Sequence, residues 1–154
     1  MVKVFIWNYR GKEDAWGHAS LQVRSHYISW WPSQPGQVPS GIHRNIYSSM
    51  PILDRKFSDD IRAEKQMPDH NILISGLDEQ SIIEWWIRFG MCAGFQGPPL
   101  PWKTLSLNCS TVVATALKKG GGDKYASWLP SWNIVWKPSD VLQYATSIKV
   151  NISS

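Results

Sequence analysis

Short strand-like segments dominate the first part of this chain and recur once near its middle. They are rich in β-branched and aromatic residues and are bounded by turn residues: VKVFIWNY, HASLQVR, HYISWWP and HNILISGL. The first three follow one another at hairpin distance and predict an antiparallel meander. In the second segment the strand alternation puts His18, Ser20 and Gln22 on one face.

Helical spacing of apolar residues takes over in the second half of the chain. A helix capped by Asp78 is predicted over residues 79–95. Its apolar stripe consists of Ile82, Trp85, Trp86, Phe89 and either Cys92 or Ala93. The segment NCSTVVATALKKGGG predicts a second helix that starts at Cys109 and stops at the glycines. A last helix is predicted to begin near Ser139, and SIKVNI is predicted to form a closing strand.

The stretch between Pro32 and Asp69 shows no sustained period of either kind. It includes the Pro/Gly/Ser-rich SQPGQVPSG and predicts a long loop, which inside a compact domain is often a lid or a substrate wall. No internal repeat or domain boundary is visible. The chain is therefore expected to form one α+β domain over residues 1–154, burying about two-thirds of its unfolded surface.

Composition narrows the class of protein without naming a function. Hydrophobic residues make up 43% of the chain and charged residues 18%, which is typical of a folded globular protein. The net charge of +4 comes from scattered basic residues, whereas nucleic-acid binding calls for a concentrated basic stripe. Nucleic acid is therefore not an expected partner. The charge permits contact with an anionic membrane, but no other feature indicates it.

Neither the N-terminus nor the cysteines suggest an exported disulfide protein. MVKVFIWNYRG lacks the long apolar region of a signal peptide, and no apolar run approaches the length of a membrane span. We expect a cytoplasmic protein or one exported by a dedicated secretion system. Cys92 and Cys109 are both expected to be free thiols, and Cys92 to be an inert residue on a packed helix face.

Several common catalytic motifs are missing from the sequence. Its four histidines form no HExxH pair, its two cysteines form no CxxC pair, and there is no GxSxG elbow. The glycine run follows a helix, whereas a phosphate-binding loop precedes one. Neither a metal nor another cofactor is therefore expected.

Cys109 and His18 form the candidate catalytic pair. A helix N-terminus stabilises negative charge, so a thiol at the start of the Cys109 helix loses its proton more easily than a free thiol. Histidine is the usual base for a thiol nucleophile, and His18 opens a strand with Gly17 behind it for close approach. In this interpretation the thiolate attacks a carbonyl carbon, and the backbone N–H of Cys109 helps to stabilise the oxyanion.

The run GHASLQV followed by a strand, together with a distant NCSTVV at a helix start, resembles the circularly permuted papain-like group. That group includes lecithin:retinol acyltransferase-like enzymes, permuted NlpC-type amidases and PPPDE deSUMOylating peptidases, in which the histidine precedes the cysteine. The resemblance implies a papain-like fold in permuted order, with an antiparallel sheet packed against a central helix that starts at the nucleophile. GLDEQSIIEWW, NCSTVVATALKKGG and KPSDVLQYA are also similar to papain-like domains of bacterial toxins and effectors.

The resemblance further implies a third catalytic residue on the strand after His18, where the group carries His, Asn, Asp or Gln. Aligning SWWP with the His-Leu-Ala-Pro of the acyltransferases puts Ser29 there, and a hydroxyl orients an imidazole more weakly than a carboxylate does. His26 lies at odd spacing from Ser29 and therefore on the opposite face. Three alternatives stay open: Ser29 suffices, the enzyme is a Cys–His dyad, or an acid from elsewhere such as Asp140 orients His18.

Tryptophans are abundant around these motifs, and the chain contains ten of them. Those that flank the motifs are Trp16, Trp30, Trp31 and Trp102. As a group they would wall an active-site groove, whereas each taken singly is expected to pack around the sheet edge.

The predicted function is that of a cysteine peptidase or amidase in a secreted toxin or effector. It would cleave an amide bond through a Cys109 thioester, with His18 as base and Ser29 as third residue. Expected partners are a peptide, peptidoglycan or protein-conjugate substrate and an immunity or inhibitor protein. Two alternatives are a lipid or protein-lysine acyltransferase with the same Cys–His pair, and a non-catalytic Trp-rich binding module.

Overall fold

The computed structural model describes residues 1–11, 17–30, 45–47, 55–90, 101–103, 108–128 and 136–154. Its strands are β1 Val2–Trp7, β2 His18–Val23, β3 His26–Ile28, β4 Asn45–Tyr47, β5 His70–Ile74 and β6 Pro101–Lys103. The main sheet is antiparallel in the order β3-β2-β1-β5, and β4 pairs with β6 separately. The four predicted strands and the meander of the first three are confirmed.

The helices of the described residues are α1 Phe57–Glu64, α2 Glu79–Gly90, α3 Cys109–Lys119 and α4 Pro138–Ile152, with a 3₁₀ turn at Gly122–Lys124. The predicted start of α2 is confirmed, because the Asp78 carboxylate accepts a hydrogen bond from the Ser81 N–H at 3.0 Å. The helix predicted from Cys109 is confirmed as α3, with Gly120 at its C-cap. An antiparallel sheet with these helices is an α+β fold, as expected.

Helices cover both faces of the main sheet. The larger core contains, from β1 and β2, the alternate residues Val2, Val4, Ile6, Ala19, Leu21 and Val23, packed with α2, α3 and α4. The opposite face carries a smaller cluster of Phe5, Trp7 and Tyr27 with Phe57 and Ile61 of α1. Cross-strand pairing sets His18 opposite Trp7 and Ser20 opposite Phe5. The polar residues of β2 therefore face α1.

Two predictions from the sequence are wrong. Residues 57–64 form α1, whereas a loop was predicted there. The prediction failed because a helix of 8 residues is too short to show a sustained period in the sequence. SIKVNI is the C-terminal part of α4 and not a strand. Ile148 is buried together with Val141, Tyr144 and Ala145, and this helical repeat outweighs the strand preference of isoleucine and valine.

Some predictions concern residues outside the described ranges. These are the loop segments 32–44 and 48–54, the end of the strand predicted over HYISWWP, Cys92 and the end of the helix predicted over 79–95. Among the helices that are described, none combines the length and the apolar character needed to cross a membrane.

Gly17 brings the end of β1 against the start of β2. Its φ is +82°, and a Cβ at this position would lie 2.6 Å from the carbonyl oxygen of Trp7. Gly11 also has a positive φ, of +73°, but a Cβ there would meet nothing within 4 Å. Close approach next to His18 therefore requires a glycine at position 17, as predicted.

We expect Gly17→Ala to destabilise the protein by more than Gly11→Ala. Gly11→Ala introduces only left-handed strain, which costs about 1–2 kcal/mol, whereas Gly17→Ala adds a clash with backbone. The free energy of unfolding from urea titrations measures the difference. Equal losses in the two variants would contradict the close approach.

Candidate functional site

The start of β2 and the start of α3 bring His18 and Cys109 together. Asn108 is the N-cap of α3, and its side-chain oxygen accepts a hydrogen bond from the Thr111 N–H at 2.9 Å. The Asn108 amide also donates to the Trp136 carbonyl at 3.2 Å, which ties the helix start to the segment before α4. Cys109 is a buried free thiol in the first position of the helix, and its side chain is hydrogen-bonded to His18.

The surroundings of Cys109 favour the thiolate. Burial alone would raise the pKa of the thiol, but the charge of His18 and the hydrogen bond from His18 lower it below its ordinary value. The Ala19 N–H and the Ser110 hydroxyl, whose oxygen lies 3.9 Å from the sulfur, act in the same direction. The site therefore holds an acidified thiol beside a basic imidazole.

Asp60 of α1 supplies the acid that orients His18. Its Oδ2 lies 2.9 Å from His18 Nε2, and Ser29 Oγ lies 3.0 Å from the same nitrogen. The Ser29 hydroxyl in turn donates to Asp60 Oδ2 at 2.7 Å. Because these two residues occupy Nε2, the ring has Nδ1 left for the hydrogen bond with Cys109.

Two further donors hold the Asp60 carboxylate. The Tyr27 hydroxyl donates to Oδ2 at 2.6 Å, and Arg55 Nε donates to Oδ1 at 2.6 Å. Asp60 is 0% exposed and Arg55 is 7% exposed. Burial would raise the pKa of Asp60, but the charge of His18, the hydrogen bond from His18 and the charge of Arg55 hold it well below its usual range. Asp60 is therefore a buried, ionised carboxylate.

The negative charges around His18 keep its ring protonated. Burial alone would lower the pKa of His18, yet the charges of Asp60 and Cys109 raise it to about 10. The ring of Trp7 lies beside it, with 5.5 Å between the ring centroids, and Trp7 is itself fixed by a hydrogen bond to the Gln66 carbonyl at 2.9 Å. An imidazolium in a fixed orientation thus faces the thiol of Cys109.

The residues considered for the third position lie in different places in the structure. Ser29 does contact His18, but it does so together with Asp60, which the sequence analysis missed. Asp140 lies in the first turn of α4, where its Oδ2 accepts from the Lys137 N–H at 2.9 Å, and so it is not the orienting acid. The sequence does contain a weak indication of Asp60. If FSDDIRAE is read as a helix, this acid lies on the same face as the apolar residues Phe57 and Ile61.

Of the four tryptophans proposed to wall a groove, the structure describes the side chain of Trp30. Trp30 is fully buried and packs edge-on against Phe89 at 5.4 Å, so it belongs to the core. The side chains of Trp16, Trp31 and Trp102 lie outside what the structure describes. Among the described residues, no group of three or more His, Cys, Asp or Glu side chains is arranged to hold a metal ion.

Comparison with known proteins gives one family and two relatives. Residues 41–154 match the IcsB middle domain family. A multifunctional-autoprocessing repeats-in-toxin protein of Vibrio cholerae is 31% identical over 80 residues, 51% of this chain, and one of Vibrio vulnificus is 30% identical over the same share. The matched part is only 2% and 1% of those toxins, respectively. No solved structure matches.

The family match covers most of the chain and includes the nucleophile candidate and the acid of the site. Both Asp60 and Cys109 fall within residues 41–154, whereas His18 precedes them. The two Vibrio relatives are toxins by name, so the regions similar to this chain come from bacterial toxins. The extent of the match shows that this chain belongs to the IcsB middle domain family.

Proposed function

We propose that this chain is a cysteine-dependent acyl-transfer enzyme that cleaves an amide bond through a thioester on Cys109. The observation that carries the proposal is the chain of hydrogen bonds that links Cys109, His18 and Asp60. The thiol is hydrogen-bonded to the imidazole, and the opposite ring nitrogen lies 2.9 Å from a buried carboxylate. This is the arrangement by which a base activates a nucleophile while a third group orients the base.

In the first half of the reaction the Cys109 thiolate attacks the carbonyl carbon of the amide. The N–H groups in the first turn of a helix have no acceptor within the helix. Asn108 accepts the hydrogen bond of the Thr111 N–H, and in this proposal the N–H of Cys109 at the helix start stabilises the oxyanion. His18 then gives its proton to the leaving amine as the C–N bond breaks, which leaves an acyl thioester and a neutral imidazole.

In the second half the neutral His18 takes a proton from water, and the resulting hydroxide attacks the thioester. The C–S bond breaks, the carboxylic acid leaves, and Cys109 and His18 return to their starting state. Asp60 stays ionised throughout and stabilises the imidazolium each time it forms.

The relatives favour a role in a bacterial toxin or effector. The two Vibrio relatives are multifunctional-autoprocessing repeats-in-toxin proteins, and the chain spans only 2% and 1% of their length. We therefore propose that this chain acts as the catalytic unit of a toxin or effector. The activities of the full-length toxins need not all belong to this segment.

Burial of the pair favours a second candidate function, an acyltransferase. His18 is 1% exposed and Cys109 is 9% exposed. A site that excludes bulk water protects a thioester from hydrolysis until a bound acceptor arrives. In that case the amine of a lysine side chain or of a lipid would replace water in the second half-reaction, and an amide would form on the acceptor.

Cys109→Ala is expected to abolish turnover while the fold is retained, since it removes the thiol that lies beside His18 and would form the thioester. The test incubates the protein with peptidoglycan fragments, ubiquitin-like conjugates and acyl lipids, and identifies products and any acyl-enzyme by mass spectrometry. A mass adduct on Cys109 supports the proposal, and the product distinguishes water from an amine as acceptor. Undiminished product formation by a folded Cys109→Ala variant would rule out the thioester. Absence of adduct and product would favour a binding module.

Iodoacetamide should label Cys109 faster than Cys92 at neutral pH, because only the thiolate reacts. Labelling should rise with pH at a midpoint below that of an ordinary thiol, since the pKa of Cys109 is lowered. Turnover should fall again near pH 10, where His18 loses the proton that the leaving amine needs. Rates of labelling across pH measure the rise, and rates of turnover across pH measure the fall at high pH. Equal labelling of the two cysteines would contradict an activated Cys109.

Asp60→Asn should reduce turnover and labelling at neutral pH much more than Ser29→Ala. Asparagine removes the charge that stabilises the imidazolium, and we expect a loss of at least about tenfold. Ser29→Ala leaves the carboxylate in place and should cost less than about threefold. A larger loss in Ser29→Ala than in Asp60→Asn would assign the orienting role to the serine.

A further inference from the structure

The two oxygens of the Asp60 carboxylate have different partners. Oδ2 accepts hydrogen bonds from the Tyr27 and Ser29 hydroxyls and faces His18 Nε2. Oδ1 faces away from this group and accepts from Arg55 Nε at 2.6 Å. A carboxylate rotates about its Cβ–Cγ bond, so its orientation depends on partners at both oxygens.

Arg55 and Asp60 belong to one short segment of the chain. Arg55 lies two residues before the start of α1, and Asp60 lies in the first turn of that helix. Both are buried, and their contact is an ion pair as well as a hydrogen bond. The guanidinium is rigid and always charged, which makes it suited to fixing a carboxylate inside a protein.

We propose that Arg55 is a positioning residue of the acyl-transfer site, which clamps Oδ1 of Asp60 so that Oδ2 stays directed at His18. The proposal rests on the function proposed above. In this proposal Arg55 acts on the reaction through its contact with Asp60 and does not itself touch the reacting atoms. Among the described residues, the titratable and charged groups that face this carboxylate include His18 from β2, Tyr27 from β3 and Arg55 ahead of α1, with Cys109 of α3 on the far side of His18.

The sign of the change in His18 titration separates positioning from a simple counter-charge. If Arg55 holds Asp60 in place, its loss weakens the contact that stabilises the imidazolium, and the pKa of His18 falls. If Arg55 only contributes positive charge, its removal makes the surroundings of His18 more negative, and the pKa rises. The two roles therefore move the same measured quantity in opposite directions.

The experiment follows the His18 ring by NMR across pH in the full chain and in Arg55→Gln. We expect the His18 midpoint to move down from about 10 by about one pH unit in Arg55→Gln, with a parallel shift of the alkaline limb of turnover. Arg62→Gln is the matched control, since Arg62 lies on α1 with Asp60, its side chain is 80% exposed, and it pairs with Asp59 at 3.7 Å. It should leave the midpoint unchanged.

Arg55→Lys keeps the charge and decides the question if Arg55→Gln does not fold. A single ammonium holds Oδ1 less rigidly than a guanidinium does. The His18 midpoint in Arg55→Lys should therefore fall between those of the wild type and Arg55→Gln. A midpoint that is unchanged or raised in the folded variants would overturn the proposal. An ordinary His18 midpoint and slow Cys109 labelling in the wild type would instead overturn the proposed function.

Discussion

The buried negative charge of Asp60 is the constraint around which the site is organised. An isolated carboxylate inside a protein is costly and would take up a proton unless donors and a counter-charge compensate for lost water. Here donors from three parts of the described chain converge on it, among them His18, Tyr27, Ser29 and Arg55. Satisfying that one group therefore fixes the positions of β2, β3 and the start of α1 relative to one another.

His18 connects this polar cluster to the nucleophile on the opposite side of the sheet. Strand alternation places the residue on the face covered by α1, where Trp7 and Asp60 hold its ring. Cys109 belongs to the larger core on the other face. Because His18 is the first residue of β2, its ring lies at the end of the strand and can contact both layers. Gly17 permits this by letting the chain pass close to β1.

The sequence predicts those parts of the molecule whose pattern is local. The strands and the start of α3 follow from alternation, from the Asn108 cap and from the glycine stop, and they place His18 and Cys109 correctly at element ends. Asp60 could not be found this way, because α1 is short and its acid is recruited by partners distant in sequence. The end of α4 was predicted wrongly because local β propensity there opposes the tertiary packing of Ile148.

Charge balance explains how such a cluster can work while buried. Asp60 and Arg55 neutralise each other, and the Cys109 thiolate is neutralised by the His18 imidazolium, so moving a proton between thiol and imidazole leaves the total charge unchanged. In the proposed thioester, Cys109 carries no charge and His18 has given its proton to the leaving amine, so the total is again unchanged. Counted over these four groups, each proposed resting state is therefore electrically neutral. Without Arg55 every one of these states would carry a net negative charge away from water, and the low dielectric of the interior would make all of them costly.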